Sequence, residues 1–296
     1  MKILVTGSSG LVGTQVVKDL VQQNHDVISC YHEKKAEYGT LEKLDLNEPT
    51  QIVNILKKHK PECIIHLGAM TGVDLCESEP QIAKNINSLA TKILGKEASK
   101  LGSFFLYVST DYVFDGTKSF SKENDAPNPL SVYGQSKLEG ENALNDMAFS
   151  YCVARISSPF GLHKSKKSFP LWIKENLDSK KEIPVVVDQF TSPTYVPNLS
   201  KMLIEITTKQ ISGIIHVSGA TRISRYEFAE LIAQKLDLDK KLLKPVNMNE
   251  INWKAKRPFD SSLDVSLATE ILNEKPQKLE QSIELLVEQL NSSAKF

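Results

Sequence analysis

The sequence predicts an α/β protein built on a doubly wound parallel sheet, with a smaller lobe formed by its C-terminal part. Three observations predict this fold. An apolar run typical of a buried strand opens the chain, a glycine-rich turn follows it directly, and strand and helix patterns then alternate to about residue 157. Successive strand–helix units of this kind form a parallel sheet with helices on both faces, which is the Rossmann type.

The first strand and the turn after it form a pattern that is typical of nucleotide binding. Lys2 to Thr6 is apolar and β-branched, and the heptapeptide GSSGLVG follows. Gly7 permits a tight turn, Gly10 lets the backbone approach a pyrophosphate, and Gly13 allows close helix packing. The spacing is GxxGxxG rather than the commoner GxGxxG, and a glycine-rich turn can be a simple connection. Its place between a strand and a helix favours a pyrophosphate at the helix N-terminus.

The patterns that follow continue the alternation of strands and helices. Strands are predicted at Asp26 to Cys30, Leu41 to Leu44, Glu62 to Leu67, Phe104 to Ser109 and Tyr151 to Ile156. Helices are predicted at Pro49 to Lys58, from about Pro80 to Lys100, and at Pro129 to Asn145. The Glu62 to Leu67 run has almost no polar interruption, as expected for a strand that is covered on both faces. We expect residues 1–157 to form an NAD(P)-binding domain.

After residue 157 the alternation breaks, and serine, lysine and proline cluster from Ser157 to Pro159 and from His163 to Ser168. Further elements are predicted at Phe169 to Leu177, Ile214 to Val217 and Ser224 to Leu236, and in a C-terminal helix with one apolar stripe of Leu279, Ile283, Leu286 and Leu290. We expect residues 158–296 to form mainly a substrate-binding lobe, with a stretch near 185–220 returning to the sheet.

A threonine, a tyrosine and a lysine suggest the chemistry. Thr110 lies at the end of a predicted strand, where the ligand crevice of a doubly wound sheet is found. Tyr133 and Lys137 are four residues apart and so share one face of a helix. A phenol titrates near ~10, and a neighbouring fixed cation is the simplest way to make it a proton donor at neutral pH. Such a pair also occurs by chance on helix surfaces, and the glycine turn is what favours a catalytic role.

Composition excludes several classes of function. The chain has 296 residues with 36 basic and 36 acidic side chains, so no overall charge attracts nucleic acid or an acidic membrane. The four cysteines show neither a CxxC pair nor metal-ligand spacing, and we expect no metal and buried thiols in a reducing compartment. With no signal segment and no apolar run of membrane-spanning length, the sequence predicts a soluble, cytoplasmic protein.

Over nearly its whole length the chain resembles the extended short-chain dehydrogenase/reductases, and within them the dTDP-4-dehydrorhamnose reductases and their relatives. The motifs that carry the resemblance are GSSGLVG from Gly7, VDLCESEP from Val73, STDYVFDG from Ser109, PLSVYGQSKLEGE from Pro129, DQFTSPT from Asp188, and Arg257-Pro258.

The resemblance implies a mechanism. Tyr133 would be the general acid that protonates a C4 ketone as hydride arrives from the nicotinamide. Lys137 would lower the pKa of Tyr133 and bind the ribose hydroxyls. Thr110 would donate a hydrogen bond to the ketone oxygen.

The resemblance also implies a cofactor site. Its residues would be Gly7, Ser9, Gly10, Leu11, Val12, Gly13, Tyr31, His32, Asp45, Leu46, Gly68, Ala69, Met70, Asn87, Tyr133 and Lys137. Members that prefer NAD place an acid at the end of the second strand, on the ribose. Tyr31 stands there and His32-Glu33-Lys34-Lys35 follows, which favours NADPH, while Glu33 leaves NADH open. Asn87 matches the family's structural asparagine, and a surface role is the alternative.

The predicted partner is a nucleotide sugar, and the substrate-binding residues would be Val73, Asp74, Thr110, Asp111, Ser158 and Arg257. Ser158 stands where rhamnose reductases tend to carry a tryptophan, so a sugar-facing aromatic ring is missing. Arg257 suits a diphosphate, and a surface ion pair is the alternative. Gln15 replaces an acid that supports a metal-bridged dimer in some members, so neither metal nor dimer is carried over, and a homodimer stays open.

Two alternatives to a reductase remain. The first is a nucleotide-sugar dehydratase or epimerase. Dehydratases of this family place Asp-Glu after the catalytic threonine, whereas here Tyr112 follows Asp111, which weakens that interpretation. The second is a non-catalytic NADP-binding protein similar to the regulatory β subunit of methionine adenosyltransferase. This chain shares the DYVFDGT segment of that subunit, from Asp111 to Thr117, and also lacks the tryptophan.

Overall fold

A computed structural model describes residues 1–145, 147 and 149–293. In chain order its strands are β1 (Lys2–Thr6), β2 (Asp26–Tyr31), β3 (Thr40–Lys43), β4 (Cys63–His66), β5 (Phe104–Thr110), β6 (Tyr151–Ile156), β7 (Pro159–Phe160), β8 (Ile183–Val186), β9 (Phe190–Thr191), β10 (Thr194–Tyr195), β11 (Gly213–His216), β12 (Ile223–Ser224) and β13 (Leu243–Val246). Its helices are α1 (Leu11–Gln22), α2 (Pro49–His59), α3 (Val73–Ser78), α4 (Pro80–Lys84), α5 (Ala90–Leu101), α6 (Val132–Asn145), α7 (Phe169–Asp178), α8 (Val196–Lys209), α9 (Arg225–Lys235), α10 (Ser266–Ile271) and α11 (Leu279–Ser293).

The centre of the molecule is a seven-stranded sheet in the order β11-β6-β5-β4-β1-β2-β3, and all of its pairs are parallel. Every residue of β4 and β5 is buried, because helices cover both faces of the sheet. The predicted doubly wound α/β class is confirmed. The order changes direction next to β1, so the carboxyl ends of β1 and β4 flank the crevice where ligands bind in such sheets.

Two apolar cores cover the two faces of this sheet, and the later part of the chain contributes to one of them. Helix α8 packs against α1 through buried Leu199, Met202 and Leu203, and β11 adds the edge strand beside β6. Ala268 of α10 and Leu272 belong to the same core. Residues far beyond 220 therefore also pack on the sheet, whereas the sequence patterns assigned them to the lobe.

The smaller lobe has its own apolar core, formed by α7, α9, α11 and short strand pairs. Ile173, Ile183, Phe228 and Leu243 are buried in it. The stripe predicted on the last helix is confirmed, because Leu279, Ile283 and Leu286 are buried there and Leu290 packs against them. Helix α9 begins with a capping box, in which the Ser224 side chain and Glu227 satisfy each other's backbone N–H groups.

The long helix predicted from Pro80 is present but is interrupted by a π-helical turn over Asn85–Leu89, between α4 and α5. Such turns insert one extra residue and are frequent near functional sites. Helix α3 was not predicted. The predicted helix from Pro129 begins only at Val132, three residues later.

Candidate active site

A cavity of about 700 Å³ runs along the carboxyl ends of the sheet strands. At one end it is lined by the glycine turn and the residues after β2, and at the other by residues after β5 and β6. The predicted site residues that line it are Gly7, Ser9, Gly10, Leu11, Val12, Gly13, Tyr31, His32, Asp45, Leu46, Gly68, Ala69, Met70, Val73, Thr110, Asp111, Tyr133, Lys137 and Ser158. The fold therefore brings residues from seven separate segments to one crevice.

The glycine turn is determined by backbone contacts. Gly7 has φ +66°, and a Cβ there would lie 2.8 Å from the backbone nitrogen of Gly68. A Cβ on Gly13 would lie 2.1 Å from the carbonyl oxygen of Gly7, which no side chain can tolerate. Gly10 is the extended N-cap of α1, and among the described residues no side chain caps that helix. The first turn of α1 therefore presents backbone N–H groups to the cavity, which suits a phosphate.

A buried hydrogen-bond chain holds the second wall of this end. The Thr6 hydroxyl contacts His66 Nδ1 at 2.7 Å and accepts a bond from the Gly68 N–H at 3.0 Å. His66 Nε2 lies 3.1 Å from the Thr91 hydroxyl. Burial holds the pKa of His66 well below its ordinary value, so this imidazole is neutral and acts as a structural bridge. The loop after β4 is fixed beside the glycine turn as a result.

Asn87 lies in the π-helical turn, behind the cavity wall, and does not line the cavity. Its buried amide accepts from the Met70 N–H at 2.8 Å and donates to the Met70 carbonyl at 3.1 Å and to the Ser136 hydroxyl at 2.9 Å. Asn87 thereby joins the loop after β4 to helix α6, one residue before Lys137. It is not the surface residue of the alternative interpretation, since its exposed fraction is 0%.

Lys137 is buried in the wall of the cavity. Its Nζ donates to the Val108 carbonyl at 2.7 Å and lies 4.1 Å from the centre of the Tyr107 ring. Burial lowers the pKa of Lys137 to about 7, and the carboxylate of Glu141, one helical turn further on, opposes that shift. Glu141 itself is paired with buried Arg155 at 2.7 Å, so α6 is fixed to β6 by an ion pair below the site.

The structure corrects the expected electrostatics of Tyr133. The tyrosine was expected to have its pKa lowered by Lys137, but burial raises the pKa of Tyr133, and hydrogen bonding with Thr110 is the largest opposing influence. The phenol is therefore protonated at neutral pH, as a proton donor must be. Its ring packs edge-on against Tyr112, with ring centres 5.9 Å apart.

Thr110 is part of a buried network of hydroxyl groups. Its hydroxyl donates to Asp111 Oδ1 at 2.9 Å, and the Ser157 hydroxyl donates to Asp111 Oδ2 at 2.7 Å. Asp111 is 4% exposed, and burial raises its pKa. Because a hydroxyl has one proton, Thr110 cannot donate to Asp111 and to a ketone at the same time. Thr110 gains a free proton when Asp111 is protonated or when its own hydroxyl rotates.

Ser158 stands at the far end of the same network, in a left-handed conformation with φ +41°. Bonds to Thr191 hold it there, since the two hydroxyl oxygens lie 2.6 Å apart. Arg225, from the first turn of α9, also lines the cavity, and its Nη2 reaches the Ser158 hydroxyl at 3.4 Å. The Arg225 guanidinium thus lies beside Ser158, the position where rhamnose reductases tend to carry a tryptophan.

Asp74 and Arg257 lie together but outside the lining of the cavity. Arg257 donates to both carboxylate oxygens of Asp74, at 3.1 and 2.9 Å, and its guanidinium stacks over Trp253 at 4.2 Å. Arginine lowers the pKa of Asp74 through this bond. The ion pair joins α3 to the C-terminal lobe. This agrees with the alternative role for Arg257, which was an ion pair rather than a contact with a diphosphate.

Sequence reasoning missed Arg225 and Lys166 as cavity-lining residues. Arg225 reaches the site because β12 pairs antiparallel with β9, with Ser224 opposite Phe190. The Arg225 N–H also donates to the Gln189 carbonyl. Neither pairing can be inferred from periodicity in strands of two residues. The run from His163 to Ser168 was recognised only as a polar cluster.

Within the described ranges, His, Cys, Asp and Glu side chains form no group of three that could bind a metal ion. All four cysteines are buried and free. In the part of the chain that the structure describes, no helix is long and apolar enough to cross a membrane.

Comparison with known proteins identifies the family. The family model of the RmlD substrate binding domain matches residues 1–292. The chain belongs to the RmlD family. This RmlD-family chain is 32% identical over 271 residues to the probable low-salt glycan biosynthesis reductase Agl14 of Haloferax volcanii, and the match covers 90% of each protein. It is 31% identical over 272 residues to methionine adenosyltransferase 2 subunit beta of Xenopus tropicalis, covering 90% of this chain and 80% of that one.

Among solved structures, the dTDP-4-dehydrorhamnose reductase of Bacillus anthracis in complex with NADP superposes with a TM-score of 0.88 at 27% identity. The superposition covers 97% of this RmlD-family chain and 99% of the Bacillus protein. The resemblance drawn from the sequence motifs is confirmed.

Proposed function

We propose that this protein reduces the C4 ketone of a nucleotide-linked deoxysugar with NADPH, dTDP-4-dehydrorhamnose being the first candidate, and that Tyr133 donates the proton. One observation carries the proposal. A single cavity joins a glycine turn fitted for a dinucleotide to the Thr110, Tyr133 and Lys137 side chains. Membership of the RmlD family, with reductases among the relatives, supports it.

The residues present fit a nicotinamide dinucleotide. Gly7 and Gly13 leave no room for side chains at the turn, and the first N–H groups of α1 are available for a pyrophosphate. At the end of β2, Tyr31 lines the cavity, followed by His32, Glu33 and Lys34. The lack of a carboxylate at Tyr31 itself, with Lys34 nearby, favours the 2′-phosphate of NADPH over the ribose of NADH. Bound there, the reduced nicotinamide supplies a hydride to the ketone carbon.

The protein's own groups handle the proton. Tyr133 is kept protonated by burial, so it holds the proton that the ketone oxygen needs. Thr110 stabilises the developing charge on that oxygen once its hydroxyl is released from Asp111. Lys137 donates one hydrogen bond to the Val108 carbonyl, and its remaining N–H groups would hold the ribose hydroxyls of the cofactor.

The substrate end favours a polar sugar. Val73, Tyr112, Ser158 and Arg225 line it, and the last two present a hydroxyl and a guanidinium beside the Tyr112 ring. Sugar hydroxyls and the oxygens of a diphosphate are acceptors that match these donors. This end is what decides the exact sugar.

A second candidate function is a regulatory, NADP-binding role without turnover. The identity of 31% to methionine adenosyltransferase 2 subunit beta favours it, because that identity nearly equals the identity to the reductase Agl14.

Stopped-flow oxidation of NADPH, with dTDP-4-dehydro-6-deoxy-L-mannose and other 4-ketosugars as substrates, tests the two candidates. Reduction should be stoichiometric. The Tyr133→Phe variant should lose about 10²–10⁴-fold in rate, the contribution of a well-placed acid, with an unchanged NADPH Kd. Tight NADPH binding with no turnover of any ketosugar would favour the regulatory role. A Tyr133→Phe variant that keeps nearly full rate would refute the assignment of the proton donor.

A further inference from the structure

The loop of residues 161–168, here called the returning loop, leaves β7 and runs back from the smaller lobe to the glycine turn. His163 Nε2 lies 3.3 Å from the hydroxyl of Thr14, in the first turn of α1. Lys164 pairs at 2.8 Å with Glu37, in the segment that follows β2. The returning loop therefore contacts both elements that form the dinucleotide end of the cavity.

Lys166 of the returning loop lines the cavity, and so does Lys34 from the segment after β2. Burial lowers the pKa of His163, Glu37 opposes that shift, and the charges of Lys166 and Lys34 add to it, so both lysines lie near this ring. The His163 ring accepts the N–H groups of Ser165 and Lys166 at 3.1 and 2.9 Å, and these bonds fix the turn that carries Lys166.

The charge of this cluster is not balanced by the protein. On the same loop, Lys164 is paired with Glu37 and Lys167 with Glu175. In contrast, Lys34 and Lys166 form no ion pair with any residue that the structure describes, although Glu33 lines the same cavity. Two unpaired ammonium groups facing one cavity repel each other, and an anion between them relieves that repulsion.

We propose that Lys166, held in place by His163, forms together with Lys34 a phosphate-binding site for the cofactor that spans both lobes. The proposal rests on the cofactor of the proposed function and extends it, because it assigns phosphate recognition to the smaller lobe. The phosphate is either the pyrophosphate, which the glycine turn also binds, or the 2′-phosphate beside Lys34. Cofactor binding would then draw the returning loop onto the dinucleotide.

Isothermal titration of NADPH and of NADH into the full chain tests this site without any turnover. Lys166→Ala is compared with Lys167→Ala, a matched control on the same loop whose lysine is paired with Glu175 and does not line the cavity. We expect Lys166→Ala to weaken NADPH binding about tenfold, the effect of losing one charge-assisted bond, and the loss to shrink at high salt. Lys167→Ala should stay close to wild type.

The two cofactors separate the two phosphates. An equal loss for NADPH and NADH identifies the pyrophosphate, and a loss confined to NADPH identifies the 2′-phosphate. If the two lysine variants bind NADPH equally well, the proposed site is wrong while the proposed function stands. If the wild-type chain binds neither dinucleotide, the proposed function itself is wrong. Bound NADPH should also slow tryptic cleavage after Lys166, and unchanged cleavage at saturation would contradict the site.

Discussion

The two ends of the cavity are built in different ways. The dinucleotide end is formed mainly by backbone, in a seven-residue turn where Gly7 and Gly13 are required by close contacts with other main-chain atoms. The substrate end is formed by side chains from distant segments, such as Tyr112 after β5, Ser158 after β6 and Arg225 at the start of α9. One end is local in the sequence, and the other exists only in the folded chain.

This difference explains which end can vary. A turn held by backbone contacts admits few substitutions, because an added Cβ meets atoms that cannot move independently. A wall of side chains can change one residue at a time while the strands beneath it stay in place. A single substitution at the dinucleotide end should therefore cause a large loss of NADPH affinity, whereas substitutions at the substrate end should change KM in small steps. Substitutions at both ends of the cavity test this contrast.

The largest effect is expected for Gly13→Ala at the dinucleotide end. The new Cβ would lie 2.1 Å from the Gly7 carbonyl oxygen, so the turn and the first turn of α1 must separate. Overpacking of this kind costs about 1–3 kcal/mol, and the loss of aligned N–H groups adds to it, so NADPH should bind roughly 100-fold more weakly. Fluorescence titration with NADPH measures the loss.

Gly10→Ala is the graded control for that variant. Its Cβ would lie 3.2 Å from the same carbonyl oxygen, a contact that a small shift relieves. We expect a loss of NADPH affinity several times smaller than for Gly13→Ala. Equal losses in the two variants would mean that the packing of Gly13 does not determine the geometry of the turn.

The same contrast decides how much could be predicted from the sequence. The strand, the glycine turn, Thr110 at a strand end and the Tyr133–Lys137 pair were all predicted, because each depends on spacing within a single segment. Arg225 was not predicted, because its position depends on a strand pair of two residues that has no periodicity to detect. The pairing of Asp74 with Arg257 could not be derived from the sequence for a similar reason, since only the folded chain brings α3 against residue 257.

The pKa shifts of the site residues also could not be predicted from the spacing of residues in the sequence. The i, i+4 geometry of Tyr133 and Lys137 suggested that the lysine lowers the pKa of the tyrosine. Burial of both side chains has the larger effect, and it raises the pKa of Tyr133 and lowers that of Lys137. How deeply a side chain is buried depends on all the segments packed around it.

An intermediate effect is expected from Lys137, which lies where the two ends meet. Its pKa falls from 10.5 to about 7 on folding, so between these values the unfolded chain holds a proton that the folded protein has lost. Stability should therefore rise with pH above about 7, with a slope of up to about 1.4 kcal/mol per pH unit from this group. Below pH 7 both states are protonated, and the cost of burying the charge is constant.

Urea unfolding of wild type and of Lys137→Met at pH 6, 7, 8 and 9 isolates this contribution. The free energy of unfolding of wild type, relative to the variant, should be flat from pH 6 to 7 and then increase by roughly 2 kcal/mol by pH 9. The buried thiols have pKa values raised above their ordinary value, so they act at higher pH and in both proteins. A difference that does not change with pH would show that Lys137 remains charged in the folded protein.

The smallest effect is expected at the substrate end, for Arg225→Ala. The guanidinium makes one long bond to Ser158 and stacks over Phe169 at 5.1 Å, and it has no ion pair with a described residue. Its free donors should bind the substrate, so we expect KM to rise about tenfold, with kcat changed little and the NADPH Kd unchanged. Arg225→Lys keeps the charge without the planar, forked donors of a guanidinium, and its KM should lie between those of wild type and Arg225→Ala.

Arg222→Ala is the matched control, because Arg222 is bound to Asp260 at 2.6 Å outside the cavity lining. Its loss should lower the free energy of unfolding and leave KM unchanged. If KM rises equally in both alanine variants, the rise comes from a disturbed smaller lobe. Side chains at the substrate end would then not act independently of one another.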